Sequence, residues 1–419
     1  MTDIPPAELV EALRDLSLLG PQVDHLFRQP AFNHFREVCD RLYPEQGTFG
    51  GHDFSLSHAL DRLDIRSAAG HLSEADAIAA AGRLHSAFTA KSATLVHLVP
   101  LDVADHLPAI SFGPNQVRTF TTKELAETLA PLGSYSRRFE ADRFSRFPWL
   151  VVTEQVELVE SPRRRGSPWW DMRLDRDFAA IEPHRKRFPL AVERALFFLL
   201  LAPWEEWNGH SDINWRSFQA PWVLTVDHDL FKGPPRIPSP DTLSWEPDIF
   251  EADDGETVEL EKPASYRPYD PIIPAEGWFC EEHWTDVSRA MASPLFETPV
   301  AHFILSAFAS EGIDEFMGHL TSLEASLGRY EDQGRERAMK ARIRALLGDH
   351  AAGDTYGALF KLRSEFIHGR VMQEISGVER TAARTLARRV AEALVQAVAS
   401  SAIHDRAAFL EGLAASKRP

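Results

Sequence analysis

Hydrophobic and polar positions follow two rhythms along this 419-residue chain, and the changes between them divide it. Residues 5–19 and 28–43 carry apolar positions at steps of three and four, which predicts two helices. Helical text continues after the glycine-rich turn from Gly47 to Gly51, as far as about Ala90. The rhythm then shortens. Thr94 to Pro100, Val117 to Thr121 and Trp149 to Glu160 are rich in β-branched residues, with Val151, Thr153 and Gln155 alternating against Val152, Glu154 and Val156, so strands are expected there. Trp222 to Val226 is a further candidate strand, and a helix is expected from Leu190 to Ala202, so this first part reads as α+β.

From Gly233 to Pro274 prolines and acids dominate, which predicts a linker or an irregular extended wrap. Helical spacing resumes at about 278–292, 298–311, 313–328, 335–348, 354–369 and 377–400. In the third of these, Ile313, Phe316, Met317, Leu320, Leu323 and Leu327 make an apolar stripe wide enough to pack against neighbours. An antiparallel bundle follows from such helices joined by short loops. The expected organisation is an α+β amino-terminal domain over 1–232, a Pro-rich acidic linker over 233–275 and an all-α helical bundle over 276–419.

Composition narrows the class. With 44% hydrophobic and 26% charged residues the chain is an ordinary globular one, long enough for two or three domains. Its two cysteines, Cys39 and Cys280, are too few for a disulfide framework or a cysteine-built zinc site, and each reads as a small buried apolar residue in a reducing cytosol. The opening MTDIPPAELVEALRD carries acids where an export signal needs a basic start and an apolar core. The longest apolar run, Ala195 to Ala202, is about a third of what a bilayer requires. A cytoplasmic chain without a membrane segment is expected. GTFGGHD at Gly47 lacks the lysine and spacing of a P-loop, no Gly-x-Ser-x-Gly elbow occurs, and no histidine pair stands at ligand spacing on a helix. Neither a metal nor a cofactor is therefore expected.

A net charge of −17 argues against a nucleic-acid partner, but its distribution changes the picture. Residues 294–419 carry 16 Lys+Arg and 16 Asp+Glu, so the acidic excess lies wholly in residues 1–293. Within the neutral part, Arg380, Arg384 and Arg388 form a stripe at i, i+4, i+8, and Arg337, Lys340 and Arg344 form another. Such stripes suit a phosphate backbone; the ordinary alternative is a solvated helix face. The clusters Arg163 to Arg165 and His184 to Arg187 belong to the acidic part and read as solvated, with RNA contact as the alternative.

The segment KLRSEFIHGR, Lys361 to Arg370, places Arg363 and His368 five residues apart on a helix. Asp354 is its expected N-cap and Gly369 its expected left-handed C-cap. Tyr356, Phe360, Arg363 and Ile367 recur at steps of four, three and four, so Arg363 falls on the face that should pack, where a guanidinium needs a partner or a purpose. The ordinary reading is a buried ion pair and a helix-end histidine. Arg66 and His71 in RSAAGH share the spacing without an apolar frame and provide an internal control.

LTSLEASLG (Leu320 to Gly328), RIRALLG (Arg342 to Gly348) and YGALFKLRSEFIHG (Tyr356 to Gly369) resemble the successive core helices of the Apea-like branch of the HEPN family. That branch has an LExL helix, a helix ending in a short polar turn, and then Y-x-x-R-S-x-x-x-H-G. Here Tyr356 stands seven positions before Arg363, with Phe360 in the nearer aromatic position. The resemblance covers roughly residues 295–400. HLVPLDV (His97 to Val103) and ISFGPNQVRTFTTKE (Ile110 to Glu124) are similar to the PL strand and the I-R-x-x-T-x-E-E run in the amino-terminal region of the same proteins.

The resemblance implies a HEPN bundle acting as a metal-independent endoribonuclease, a toxin-like or antiphage defence effector whose amino-terminal domain binds an unknown trigger. Cleavage without metal uses the adjacent 2′-hydroxyl as nucleophile, so the site needs a base for its proton and a cation for the charge growing on the phosphate. His368, with a reference pKa of about 6.5, fits the first role, and the donor fork of Arg363 fits the second. Ser364, which matches the usual residue of this branch, Glu324, placed to orient Arg363 with a surface carboxylate as the ordinary alternative, and Tyr356 are the expected supporting residues. Arg370, Arg380, Arg384 and Arg388 are the expected RNA contacts. Five residues of ideal helix give about 7.5 Å of rise and about 140° of rotation, so one helix does not aim both groups at one atom. HEPN proteins commonly dimerise through this helix, which implies a homodimer through residues 354–369 with a composite cleft. The main rival is a catalytically silent HEPN module that dimerises or binds RNA. A nucleotidyl-transfer target, modified at a tyrosine two residues past the histidine, is disfavoured by Arg370 at that position.

Overall fold

The computed structural model describes residues 5–20, 25–44, 52–66, 72–104, 107, 109–166, 188–207, 218–251, 257–265, 275–296, 300–369 and 374–415. The chain begins with helices α1 (Ala7–Ser17), α2 (Pro30–Leu42), α3 (His52–Arg62) and α4 (Glu74–Thr89). Their apolar faces meet through Leu13, Phe32, Phe35, Leu60 and Leu84, and Leu230 with Phe231 closes this small core. The buried Arg62 guanidinium donates to the carbonyls of Pro131, Asp227 and Lys232, which fastens the helical layer to the neighbouring sheet.

That sheet contains β1 (Ser92–Pro100), β2 (Ile110–Phe112), β3 (Asn115–Thr119), β4 (Pro148–Glu157) and β5 (Leu224–Asp227), antiparallel in the order β2-β3-β4-β1-β5. Helix α5 (Thr122–Leu129) follows β3 and starts at a capping box of Thr121 and Glu124. Period-two alternation gives the sheet two apolar faces. Leu98, Trp149 and Val226 pack on Leu125, Leu129, Phe144 and Phe147. Val99, Val117, Leu150 and Val152 point the other way, towards α6 (Leu190–Leu201).

The longer helices that follow are α7 (Glu281–Met291), α8 (Val300–Phe308), α9 (Gly312–Leu327), α10 (Arg335–Leu347), α11 (His350–Ile367), α12 (Gly377–Ser400) and α13 (Arg406–Ala415). The architecture is thus α+β and then helical, as the sequence rhythm predicts. The division at 232 does not separate two cores, however. One apolar core runs from Val99 and Leu150 through Phe197 and Leu200 of α6 to Phe316, Leu323, Val390 and Leu394. Every residue from Ala195 to Leu201 is buried, because a helix that is apolar all round needs cover on every side and only the sheet and the carboxy-terminal helices together supply it. At the turn between β2 and β3, Gly113 (φ 52°) lies so close to Trp284 that an added Cβ would sit 2.2 Å from the indole nitrogen, and its N–H donates to Glu281 at 2.7 Å.

The expected linker also holds structure. β6 (Trp245–Glu251) and β7 (Thr257–Pro263) pair as an antiparallel hairpin. Arg143 joins it to the body through Asp241 and Glu261, and Trp245 packs edge-on against Phe147. Proline and acid content obscured a period of two carried by Val258 and Leu260, and prolines are tolerated because both strands are edges. Among the described residues no helix is long and apolar enough to cross a membrane.

Candidate functional site

The residues singled out by sequence gather where α9, α10 and α11 meet. Helix α10 ends at Gly348 in the left-handed region (φ 61°), and Asp349 then starts α11 by accepting the N–H groups of Ala351 and Ala352 at 2.9 and 3.3 Å. The cap is therefore Asp349 and not Asp354. Asp354, one turn into the helix, instead receives Arg344 at 2.6 Å and Lys340 at 3.4 Å from α10. Slight desolvation raises the pKa of Asp354, but the two cations outweigh it and hold the carboxyl below its ordinary range. At the far end Gly369 takes φ 64°, the left-handed C-cap expected of it.

The buried line of α11 is Ala352, Gly353, Tyr356, Gly357 and Leu359. The sequence stripe packs only in its first half: Tyr356 is 1% exposed, Phe360 and Arg363 are half-buried, and Ile367 is 54% exposed. Arg363 pairs directly with Glu324 of α9, and Arg335 of α10 approaches the other oxygen of the same carboxylate at 3.8 Å. The phenol of Tyr356 is turned into this cluster, and its hydroxyl has no hydrogen-bond partner among the described residues. Burial first, and Glu324 second, push the Tyr356 phenol well above its ordinary pKa, against the opposite pull of Arg363 and Arg335. The Nε of Arg363 is likewise buried without a hydrogen-bond partner among the described residues.

His368 lies outside this cluster. It is the C-cap residue of α11, its backbone N–H donates to Ser364 at 3.0 Å, and its side chain is exposed. Within one chain the structure brings Glu324, Tyr356 and Arg363 together and leaves His368 apart, with no hydrogen bond between the arginine and the histidine. Ser364 is half-buried, and among the described residues its hydroxyl makes no hydrogen bond. In the control pair, Arg66 forms an ion pair with Asp61 at 3.3 Å, while His71 lies outside the described residues.

The expected RNA-contacting arginines need correction. Arg380 pairs at 2.8 Å with Glu315, which is fully buried. Arg384 is 3% exposed. Arg388 bonds Glu205 at 2.6 Å and Glu206 at 2.8 Å. Arg380 and Arg388 are thus matched by carboxylates and Arg384 is buried, so the stripe does not form a solvent-facing phosphate track. Arg165, read as solvated, is buried beside Asp229 at 3.3 Å. Arg370 and residues 184–187 lie outside the described residues. Sequence reasoning missed Arg335 as a second cation on Glu324 and missed the pair Gly353 and Gly357, whose four-residue spacing in GDTYG was the available signal for a close helix contact.

Among the described residues no three His, Cys, Asp or Glu side chains converge so as to hold a metal ion. No family model, curated protein or solved structure matches the chain.

Proposed function

We propose that this protein is a metal-independent endoribonuclease with a HEPN-type bundle, in which His368 is the base and Arg363 the phosphate clamp. The observation that supports it most is the asymmetry of α11: a guanidinium fixed by Glu324 beside the buried Tyr356, and an exposed imidazole at the end of the same helix. In the reaction the imidazole takes the proton of the 2′-hydroxyl, and its oxygen attacks the adjacent phosphorus. The P–O5′ bond then breaks and the imidazolium gives its proton up as the 5′-oxygen leaves, which yields a 2′,3′-cyclic phosphate on one fragment, a 5′-hydroxyl on the other and a neutral imidazole. Arg363 meets the charge on the phosphate oxygens with fixed donors. Because the two groups diverge on one helix, the reading includes a homodimer through α11 in which each cleft takes groups from both chains. It further includes a cytoplasmic, toxin-like or antiphage defence role, with the amino-terminal α+β part receiving the trigger.

One observation favours a second reading, a silent HEPN module that dimerises or binds RNA. Glu324 already neutralises Arg363. Incubating the purified chain with total RNA in EDTA separates the two. The nuclease reading expects cutting with cyclic phosphate ends, resistance of a substrate carrying 2′-deoxy at the scissile position, and loss of cutting in folded Arg363→Ala and His368→Ala. Intact RNA leaves the silent reading, and cutting that survives His368→Ala removes His368 as the base.

A further inference from the structure

A second feature of the same corner faces outward. Helix α10 buries Met339, Arg342 and Ile343, and its opposite side opens into a depression of about 580 Å³ beside α11. Arg335, Arg337, Lys340 and Arg344 line it together with Glu336, and Phe360 forms part of its wall. Two glycines of α11 make this arrangement fit. A Cβ on Gly353 would come within 2.6 Å of the Arg344 side chain, and one on Gly357 within 3.0 Å of the Lys340 ammonium. Both long cationic side chains therefore lie against bare backbone of α11, close to Phe360, which stands three residues before Arg363 on the same helix.

The geometry points to this depression as a binding groove for single-stranded RNA, with a base stacked on Phe360 and successive phosphates on Arg337, Lys340 and Arg344. A depression of about 580 Å³ has room for one base against Phe360, with the flanking phosphates on the cations at its rim. Cations beside an aromatic face are the combination that single strands use, since every base has a face to stack and every linkage a charge to neutralise. Arg337 is exposed and makes no ion pair among the described residues. Arg344 and Lys340 are held by Asp354, whose side chain is 64% exposed, so solvent screens the pairing and leaves it weak. A phosphate can displace that carboxylate at little cost. Arg335 reaches from the groove to Glu324, the partner of Arg363, so a strand lying here is led towards the arginine.

The choice of RNA over DNA rests on the ribonuclease reading; the groove does not. The test measures fluorescence anisotropy of a labelled oligouridylate of about 12 nucleotides on full-length His368→Ala, which keeps the ligand intact. Adding Arg337→Ala with Arg344→Ala should weaken binding at least about tenfold and lower the slope of log K against log salt by about 1.4. Phe360→Leu should weaken binding about tenfold while Phe360→Trp restores it, and the distant Lys123→Ala should change nothing. Crosslinking of 4-thiouridine RNA to the unsubstituted chain should map to residues 335–344 or 354–363, which covers the case in which the double variant does not fold. Unchanged affinity and slope in the double variant, crosslinks elsewhere, or an oligoglutamate competing as well as RNA would each overturn the proposal. Loss of binding in these variants together with an absence of cutting by the unsubstituted chain would leave the groove standing and remove the nuclease reading.

Discussion

Arg388 and Glu205, 183 residues apart in the chain, share a hydrogen bond of 2.6 Å, with side chains only 11% and 5% exposed. The pair ties α12 to the start of the short helix Trp204–Trp207, just after α6. Removing one partner strands a buried charge, so Arg388→Ala should cost about 3 kcal/mol, and Arg388→Met less because it restores packing. With the core also continuous from the sheet into the carboxy-terminal helices, heating should give one calorimetric transition for the whole chain. Two resolved endotherms would show that sheet and helices are separate units after all.

Acid should loosen one particular corner. Arg342 bonds both oxygens of Asp332, at 2.6 and 2.8 Å, and the carbonyl of Leu327 at 2.8 Å, which locks the loop between α9 and α10. The hydrogen bonds from Arg342 are the largest cause of the depressed pKa of Asp332, outweighing desolvation. A carboxyl whose pKa is lower in the folded state stabilises above its unfolded value of about 3.9, and that contribution disappears as pH falls through the folded value. Urea midpoints measured against pH should therefore hold level on this account from neutrality to about pH 4 and drop below it. Asp332→Asn should be less stable at neutral pH and lose less on acidification; an identical acid limb in the variant would refute the assignment.

The elements were largely legible because one-sided burial imposes periodicity, and α9 and β4 show it plainly. Glu324 was legible only as one of two readings, a residue that orients Arg363 or a surface carboxylate, and its direct pair with Arg363 decides for the first. Asp349 was not, because Asp354 offers the same cap chemistry, and only the left-handed Gly348 decides where α10 stops. The inward turn of Arg380 and Arg388 was hidden for a different reason: spacing shows that cations share a face, but not that Glu315 and Glu205 wait opposite.

Tyr356 offers a separate test of the cluster. Its hydroxyl is buried beside Glu324 and Arg363 without a hydrogen bond among the described residues, a position that costs the folded state roughly 1–3 kcal/mol of desolvation. Tyr356→Phe keeps the ring and removes the orphan, so the thermal midpoint should stay level or rise by the equivalent of about 1 kcal/mol. A drop of that size would mean the hydroxyl has a partner in solution. Tyr356→Ala, which opens a cavity in the core, should cost about 3–5 kcal/mol.

The assembly prediction follows from where the two candidate groups lie. Arg363 is held by Glu324, while His368 is exposed and separated from it by about 140° of ideal helix. If each competent cleft draws its arginine from one chain and its histidine from another across a two-fold axis, neither Arg363→Ala nor His368→Ala alone should cut RNA. Co-refolding the two should restore part of the activity, because one cleft of a mixed dimer regains an intact pair while the other loses both groups. With random pairing about half of the dimers are mixed and each has one working cleft, so roughly a quarter of the activity should return. Activity should also fall with dilution through the dimer dissociation range. A chain that cuts RNA as a monomer, or mixtures that stay silent although heterodimers form, would rule out the shared cleft and require His368 to swing back about Gly369 to reach its own arginine.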